Sequence, residues 1–152
     1  MENILNTMVQ VRKRLHSILD LTPKEQLLQI PEGFRNNIWW NIAHVVVTQQ
    51  LLVYRFSGLQ IRIPEGYVDK YRKGTVPGDA PSDEEIKEVA ALLISTVEWM
   101  EEDYRNGLFK NYQSYTTSAN VTLGNVDEAI AFNLFHEGLH IGAIIALQKM
   151  LK

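Results

Sequence analysis

The sequence contains no cysteine among its 152 residues. This absence excludes disulfide bonds, thiolate metal ligands and a cysteine nucleophile, and it is typical of proteins from a reducing compartment. Any metal ion must therefore be bound by histidine or carboxylate side chains. A basic surplus is also lacking, because 15 lysines and arginines face 18 aspartates and glutamates and the formal net charge is −3. This balance argues against nucleic acid as a partner.

Long apolar runs are scarce as well. Charged and ionisable side chains are spread through residues 1–21, so this segment lacks the apolar core of a signal peptide. No later run approaches the roughly 20 apolar residues of a membrane span. We therefore expect a cytoplasmic protein with no membrane partner. With 45% hydrophobic and 22% charged residues, the chain has the composition of one globular domain, covering residues 1–152.

Apolar residues recur with the helical period in four segments. They are residues 1–20, 36–57, 82–106 and 125–151. Ser82 and Asn125 are each followed three residues later by glutamate, a pattern typical of helix N-caps. Strict alternation of apolar and polar residues is not sustained, which argues against a mainly β fold. The sequence therefore predicts an all-α protein, a four-helix bundle.

The connections between these helices differ in character. Residues 59–81 are rich in glycine and proline and predict a long crossover loop between the second and third helices, anchored by Tyr67 and Tyr71. Residues 109–124 are polar and predict an irregular connection or a short extended piece.

Two of the four histidines lie four residues apart on the last predicted helix. His136 and His140 therefore leave the same face, with Cβ atoms close enough for their rings to share a metal ion. Their face also carries Asn133 and several apolar residues, so we expect it to point inward. Buried imidazoles need polar partners, and one shared cation satisfies both rings. His16 lies on a charged side of the first helix, and we interpret it as a surface residue.

His44 on the second helix is the candidate third ligand. A single histidine on an apolar face is more often a hydrogen-bonded core residue, but the pair in the same predicted bundle favours a ligand. Trp40, Asn41 and Arg55 share its face. Together with Asn133 and Glu137 on the last helix, they are candidates for contacts around the metal or with a substrate. Three histidines and an open position are typical of catalytic zinc, although nickel and other divalent ions also accept imidazole.

Residues 136–140 (HEGLH) also match the HExxH pattern of zinc metalloproteases, in which the glutamate is the general base. In most such enzymes the third ligand follows the motif, whereas residues 141–152 contain no histidine, aspartate or glutamate. The match therefore does not favour a protease. Glu137 is instead either a hydrogen-bond partner that orients a ligand or a polar residue on a neighbouring face.

Residues 38–44 (IWWNIAH) and 135–142 (FHEGLHIG) resemble the corresponding segments of the DinB-like (DinB/YfiT) superfamily. The resemblance covers essentially the whole chain, including the long connection between the second and third helices. It implies a four-helix bundle, often a homodimer, with one divalent metal ion bound by three histidines. Carried over onto matching positions, these ligands are His44, His136 and His140.

Characterised relatives in that superfamily include bacillithiol transferases and mycothiol-dependent isomerases. The resemblance therefore implies a small-molecule substrate and a low-molecular-weight thiol activated by the metal. Many members carry Arg-Gly-Gln after the last histidine, where this chain has residues 141–143 (IGA). The resemblance therefore does not carry over the corresponding contact to a thiol or an anion at these positions. Arg55, Tyr67, Tyr71 and Arg72 are the candidate replacements.

Three hypotheses follow from these patterns. The chain is a metal-dependent enzyme that activates a thiol or a water, a metal- or small-molecule-binding protein without turnover, or a bundle whose histidines are core residues. No residue is assigned a catalytic role beyond the metal ligands, and neither the metal nor the substrate is identified.

A second apolar side on two helices predicts a homodimer. On the second helix this side carries Trp39, Ile42, Val46 and Val53, and on the last helix Ala131, Phe135, Gly138, Gly142 and Ile145. The alternative is that residues 59–81 fold back and cover it.

Overall fold

The structure is a computed structural model that describes residues 1–151. It is mostly helical, in agreement with the predicted all-α class. The α-helices are α1 (Glu2–Leu21), α2 (Lys24–Leu28), α3 (Ile38–Gln49), α4 (Glu65–Tyr71), α5 (Asp83–Arg105) and α6 (Val126–Met150). Two short strands, β1 (Tyr115–Thr116) and β2 (Thr122–Leu123), pair antiparallel in the connection between α5 and α6.

Side-chain caps determine where the long helices begin. The Ser82 hydroxyl accepts a hydrogen bond from the amide of Glu85 at 3.1 Å, and the Asn125 side chain accepts one from the amide of Glu128 at 2.9 Å. Each bond satisfies an amide that has no partner inside the helix. Both N-caps predicted from the sequence are therefore confirmed.

The predicted second helix is not uniform. After Gln49 the chain forms a π-helical turn over Gln50–Tyr54 and then a 3-10 turn over Arg55–Ser57, which ends at Gly58 with a φ of 73°. Single π-helical turns of this kind are frequent at functional sites.

Helix α3 lies at the centre of the molecule. It contacts α2, α4, α5 and α6, while α1 packs on α5 and α6. Every residue from Ile38 to Val47 is buried. The apolar side of this helix that we expected to be free is therefore covered within the chain, and Trp39, Ile42, Val46 and Val53 are all core residues. Helix α4, which forms inside the predicted loop of residues 59–81, covers part of this apolar side. This side of α3 is therefore not exposed to a partner chain.

Helix α6 is apolar on nearly all sides. Its inner side includes Ile130, Ile144 and Leu147, which are buried in the core. Contrary to our expectation for apolar runs, α6 is long and apolar enough to cross a membrane by length and composition. That property alone is a weak indication, because the core helix of a soluble protein also has it.

Candidate metal centre

Three of the four histidines come together between α3 and α6. The Nε2 atom of His136 lies 3.2 Å from Nε2 of His44 and 3.1 Å from Nε2 of His140. His44 is 92 residues from His136 in the chain, so only the packing of α3 on α6 unites them. His16 lies outside this group and contacts Asp20 one turn further along α1, at 3.1 Å.

Hydrogen bonds orient two of the three rings. His44 Nδ1 donates to the backbone carbonyl of Tyr71 at 2.6 Å, and His140 Nδ1 donates to Asn41 Oδ1 at 2.7 Å. The Asn41 amide is itself oriented, because its Nδ2 donates to the carbonyl of Asn37 at 2.7 Å. With Nδ1 protonated, the Nε2 atoms of His44 and His140 carry lone pairs.

This donor set fits a divalent cation. Two imidazole nitrogens bound tetrahedrally at about 2.0–2.1 Å from one zinc ion are about 3.3–3.4 Å apart, close to the separations observed here. Lone pairs directed at one another repel, whereas a shared cation attracts all of them. The three histidines thus form a group that can hold a metal ion.

The three imidazoles favour the neutral form that a metal requires. Burial, together with the charges of neighbouring histidines in the cluster, lowers the pKa of His136 and His140 to about 3. Burial also lowers the pKa of His44, against the opposing effect of its bond to Tyr71. Within residues 1–151, His136 Nδ1 is buried without a hydrogen-bond partner.

Two predicted neighbours of the cluster lie where we expected them. Asn41 orients His140, as described above, and the indole of Trp40 stacks on the His44 ring with centroids 4.5 Å apart and planes at 11°. The Thr48 hydroxyl lies 3.2 Å from His44 Nε2 and adds a polar group at the same point. The tryptophan restricts the tilt of His44, and the asparagine restricts that of His140.

Glu137 points away from the histidine cluster and into the core. Its Oε1 accepts hydrogen bonds from Arg12 Nε at 3.0 Å, Arg12 Nη2 at 2.8 Å and Asn133 Nδ2 at 2.8 Å. Glu137 and Arg12 are both completely buried. Glu137 is thus a buried polar residue on a neighbouring face of α6, and Asn133 bonds to Glu137 rather than to a histidine.

Arg12 is completely buried, although it belongs to the charged residues of the first helix that we expected on its surface side with His16. Besides Glu137, its guanidinium approaches the Leu93 carbonyl, the Thr96 hydroxyl and the Val45 carbonyl at 3.3–3.5 Å. It thus joins α1 to α3, α5 and α6 beside the histidine cluster. The signal was present in the sequence, because Arg12 continues the helical spacing of Leu5, Met8, Leu15 and Leu19, all of which are buried.

A cavity of about 600 Å³ lies against the three histidines. Its wall is formed mainly by apolar and aromatic side chains, namely Trp40, Leu51, Leu52, Phe56, Val68, Tyr115, Phe132 and Leu139. Arg55, which we expected near a substrate, lines the cavity and pairs with Glu65 at 2.6 Å. Arg72 and Lys73 also line it.

The two tyrosines that we considered for an anion contact do not serve this cavity with their hydroxyls. The Tyr71 hydroxyl donates to Glu85 at 2.6 Å, and the Tyr67 hydroxyl donates to Glu88, so both face α5. Tyr71 contributes to the site through its backbone carbonyl instead, a role that no side-chain pattern indicates.

Comparison with known proteins gives a family and a fold. A family model described as the DinB superfamily matches residues 7–144. No curated protein matches the chain. Among solved structures, the crystal structure of a conserved protein from Enterococcus faecalis is similar, with a TM-score of 0.67 and 9% identity. The similarity covers 99% of this chain and 95% of that one, and at this identity it shows the fold alone.

Proposed function

The chain belongs to the DinB superfamily, and we propose that it binds one divalent metal ion, zinc or nickel, through His44, His136 and His140. The observation that carries this proposal is the convergence of three neutral imidazoles at the wall of a cavity, with Nε2 of His136 3.1–3.2 Å from the Nε2 atoms of the other two. In this proposal the four long helices form a four-helix bundle, whose facing helices commonly hold a metal site.

We further propose that the protein transfers a low-molecular-weight thiol, similar to bacillithiol, to an electrophilic small molecule. A bound divalent cation supplies Lewis acidity, which lowers the pKa of a coordinated thiol as it does that of water. In net terms, the S–H bond and the bond from carbon to the leaving group break, an S–C bond forms, and the proton and the leaving group depart. The absence of cysteine supports an external thiol as the nucleophile.

The chain's own residues hold the ligands and shape the cavity. The Tyr71 carbonyl and Asn41 keep the Nδ1 protons on His44 and His140, so that their Nε2 atoms stay free to bind. Trp40 stacks on His44, and the apolar wall reduces the access of water to a nucleophile.

Metal analysis of untagged protein tests the first proposal. We expect one divalent ion per chain, and we expect the His136→Ala variant to lose it because only two imidazoles remain. His16→Ala is the matched control, since His16 lies outside the cluster, and it should keep the ion. Full occupancy in His136→Ala would show that the ligand assignment is wrong.

The transferase proposal is tested with monochlorobimane as a model electrophile. Protein loaded with zinc or nickel is incubated with bacillithiol, glutathione or cysteine, and the formation of the fluorescent thioether is followed. We expect a faster reaction than with chelator-treated protein for at least one thiol. Equal rates for every thiol would refute the transferase.

A second candidate is a protein that binds a metal or a small molecule without turnover. The observation in its favour is that the described residues around the cavity include no carboxylate and no histidine other than the three ligands, so a general base is lacking. Occupied metal together with equal rates in the bimane assay would favour this candidate. The cytoplasmic location stays a prediction.

A further inference from the structure

Three positively charged side chains line the cavity beside the histidines. Arg55, Arg72 and Lys73 line it, and no aspartate or glutamate is found among the described residues of its wall. A divalent cation bound at the histidines adds further positive charge to the cavity. A cleft lined by charges of one sign concentrates ligands of the opposite sign, so the cavity favours an anion.

Unlike the side chain of Arg55, the side chains of Arg72 and Lys73 are available to bind a ligand. Arg55 donates to Glu65, whereas within residues 1–151 neither Arg72 nor Lys73 forms an ion pair or a side-chain hydrogen bond. By contrast, Arg62 pairs with Asp103 and Arg105 pairs with Glu2.

The backbone holds these two cations at a defined place relative to the histidines. Tyr71, the last residue of α4, binds His44 Nδ1 through its carbonyl, and Arg72 and Lys73 follow directly in the chain. The amide of Arg72 donates to the Val68 carbonyl at 3.0 Å, which ties its backbone to α4. The Cα atom of Arg72 is two bonds from the Tyr71 carbonyl carbon, so the backbone from which both side chains extend is held beside the cluster.

The remaining wall is suited to an apolar group. Phe56 stacks on Tyr115 with centroids 4.4 Å apart, and Phe132 and Leu51 line the same cavity. A ligand that fills the space therefore has an apolar part as well as an anionic end.

We propose that Arg72 and Lys73 bind an oxyanion of the ligand, so that the small molecule taken by the histidine site is a carboxylate that also carries an apolar segment. This inference rests on the proposed function and names the class of thiol that the site accepts. Arginine pairs with a carboxylate through two parallel hydrogen bonds, and lysine adds a point charge.

The test uses cobalt-loaded protein and three thiols of equal length but different charge: 3-mercaptopropionate, 3-mercapto-1-propanol and 3-amino-1-propanethiol. Binding of each thiol to cobalt is followed by the charge-transfer absorption of the thiolate. We expect the anionic thiol to bind about three- to tenfold more tightly than the neutral one, as expected for partly exposed ion pairs, and the cationic thiol to bind most weakly.

The double variant Arg72→Gln/Lys73→Gln should abolish this preference while keeping its cobalt, because neither residue contacts a histidine side chain. Lys13→Gln/Arg14→Gln, on the exposed side of α1, removes the same charge elsewhere and should keep the preference. Raising the ionic strength should also reduce the preference in the unaltered protein. An equal affinity for the anionic and neutral thiols in the unaltered protein would overturn the inference.

A second arm contains no thiol, so that the inference and the proposed function can fail separately. Zinc-loaded protein is titrated calorimetrically with succinate and with its neutral analogue succinamide. If no thiol gives a charge-transfer band but succinate binds in a manner that requires Arg72 and Lys73, the thiol chemistry is refuted and the anion site stands. If succinate binds no better than succinamide, or equally well in the double variant, the anion site is refuted whatever the thiols do.

Discussion

At the scale of single residues, the ion pair between Arg12 and Glu137 is the most demanding feature of the core. Both side chains are completely buried, and several hydrogen bonds compensate for the loss of water. A buried pair contributes little to stability compared with apolar residues of the same shape, but a single charge left behind is costly. We therefore expect the fold to tolerate the replacement of both residues together but not the replacement of either one alone.

Arg12→Met should lower the free energy of unfolding by about 3–5 kcal/mol, because Glu137 is left buried without its counter-charge. The double variant Arg12→Met/Glu137→Leu should recover much of this loss. Urea unfolding of metal-free protein measures both. Lys13→Met, on the exposed neighbour, should change the free energy by less than about 0.5 kcal/mol. A single Arg12→Met variant as stable as the unaltered protein would contradict this account.

The histidine cluster makes the metal-free protein sensitive to acid. In the folded chain the pKa of His136 and His140 is lowered to about 3, whereas in the unfolded chain both return to the ordinary value of 6.5. The unfolded chain therefore binds more protons between these values, so stability is retained above about pH 6.5 and falls as the pH drops towards about 3.

We expect the free energy of unfolding, measured with urea in the presence of a chelator, to be lower at pH 5 than at pH 7. His136→Gln should show a smaller decrease, because one of the groups that titrate is gone. Identical decreases in the two proteins would show that other groups cause the acid sensitivity.

At the scale of elements, the start of α3 controls the geometry of the site. The Asn37 side chain accepts a hydrogen bond from the Trp40 amide at 2.8 Å and donates one to the Leu28 carbonyl at 2.9 Å. It thereby joins α2 to the turn that carries Trp40 and Asn41. The Asn37 side chain thus forms two hydrogen bonds, whereas the Ser82 cap of α5 accepts only one, at an exposed helix end. The Asn37 cap should therefore contribute more to stability.

Asn37→Ala should therefore cost about 2 kcal/mol of stability, and Ser82→Ala about 1 kcal/mol. The first variant should also weaken metal binding, since the orientation of His140 depends on Asn41 at the start of the same helix. Urea unfolding and a metal titration of the two variants provide the comparison. Equal losses of stability and unchanged metal affinity in both would contradict it.

At the scale of the whole molecule, α6 leaves an apolar stripe in solvent. Its exposed members are Ala131, Phe135, Gly138, Leu139, Gly142 and Ala146, and Phe135 and Leu139 are 52% and 56% exposed. A Cβ atom at Gly138 or Gly142 meets nothing within 4 Å, so the surface is open. We propose that this stripe, without any contribution from α3, forms the interface of a homodimer.

Light scattering after gel filtration should give about twice the mass of one chain, and Gly142→Arg should give the mass of one. The arginine places a charge in the middle of the stripe without disturbing the fold, because the glycine faces open space. Ala91→Arg, on the exposed side of α5, is the matched control and should leave the dimer intact. A monomer at tens of micromolar would refute the proposal.

The sequence alone determined the long helices α1, α5 and α6, the caps at Ser82 and Asn125 and the shared face of His136 and His140. These features depend on residues within a few positions of one another, so helical spacing and capping chemistry are sufficient to predict them. The pattern around His44 on the second helix, and then the resemblance to a family, indicated the third member of the group, and the structure brings the three histidines together.

Tertiary structure alone decided the rest of the site. Periodicity assigns a residue to a face, but the partner of that face depends on how all the helices pack. For this reason the burial of Arg12 against Glu137 and the Tyr71 carbonyl on His44 were missed, and the covering of Trp39 by the segment that forms α4 was only an alternative. Each of them joins residues at least 27 positions apart, a separation at which local pattern carries no information about contact.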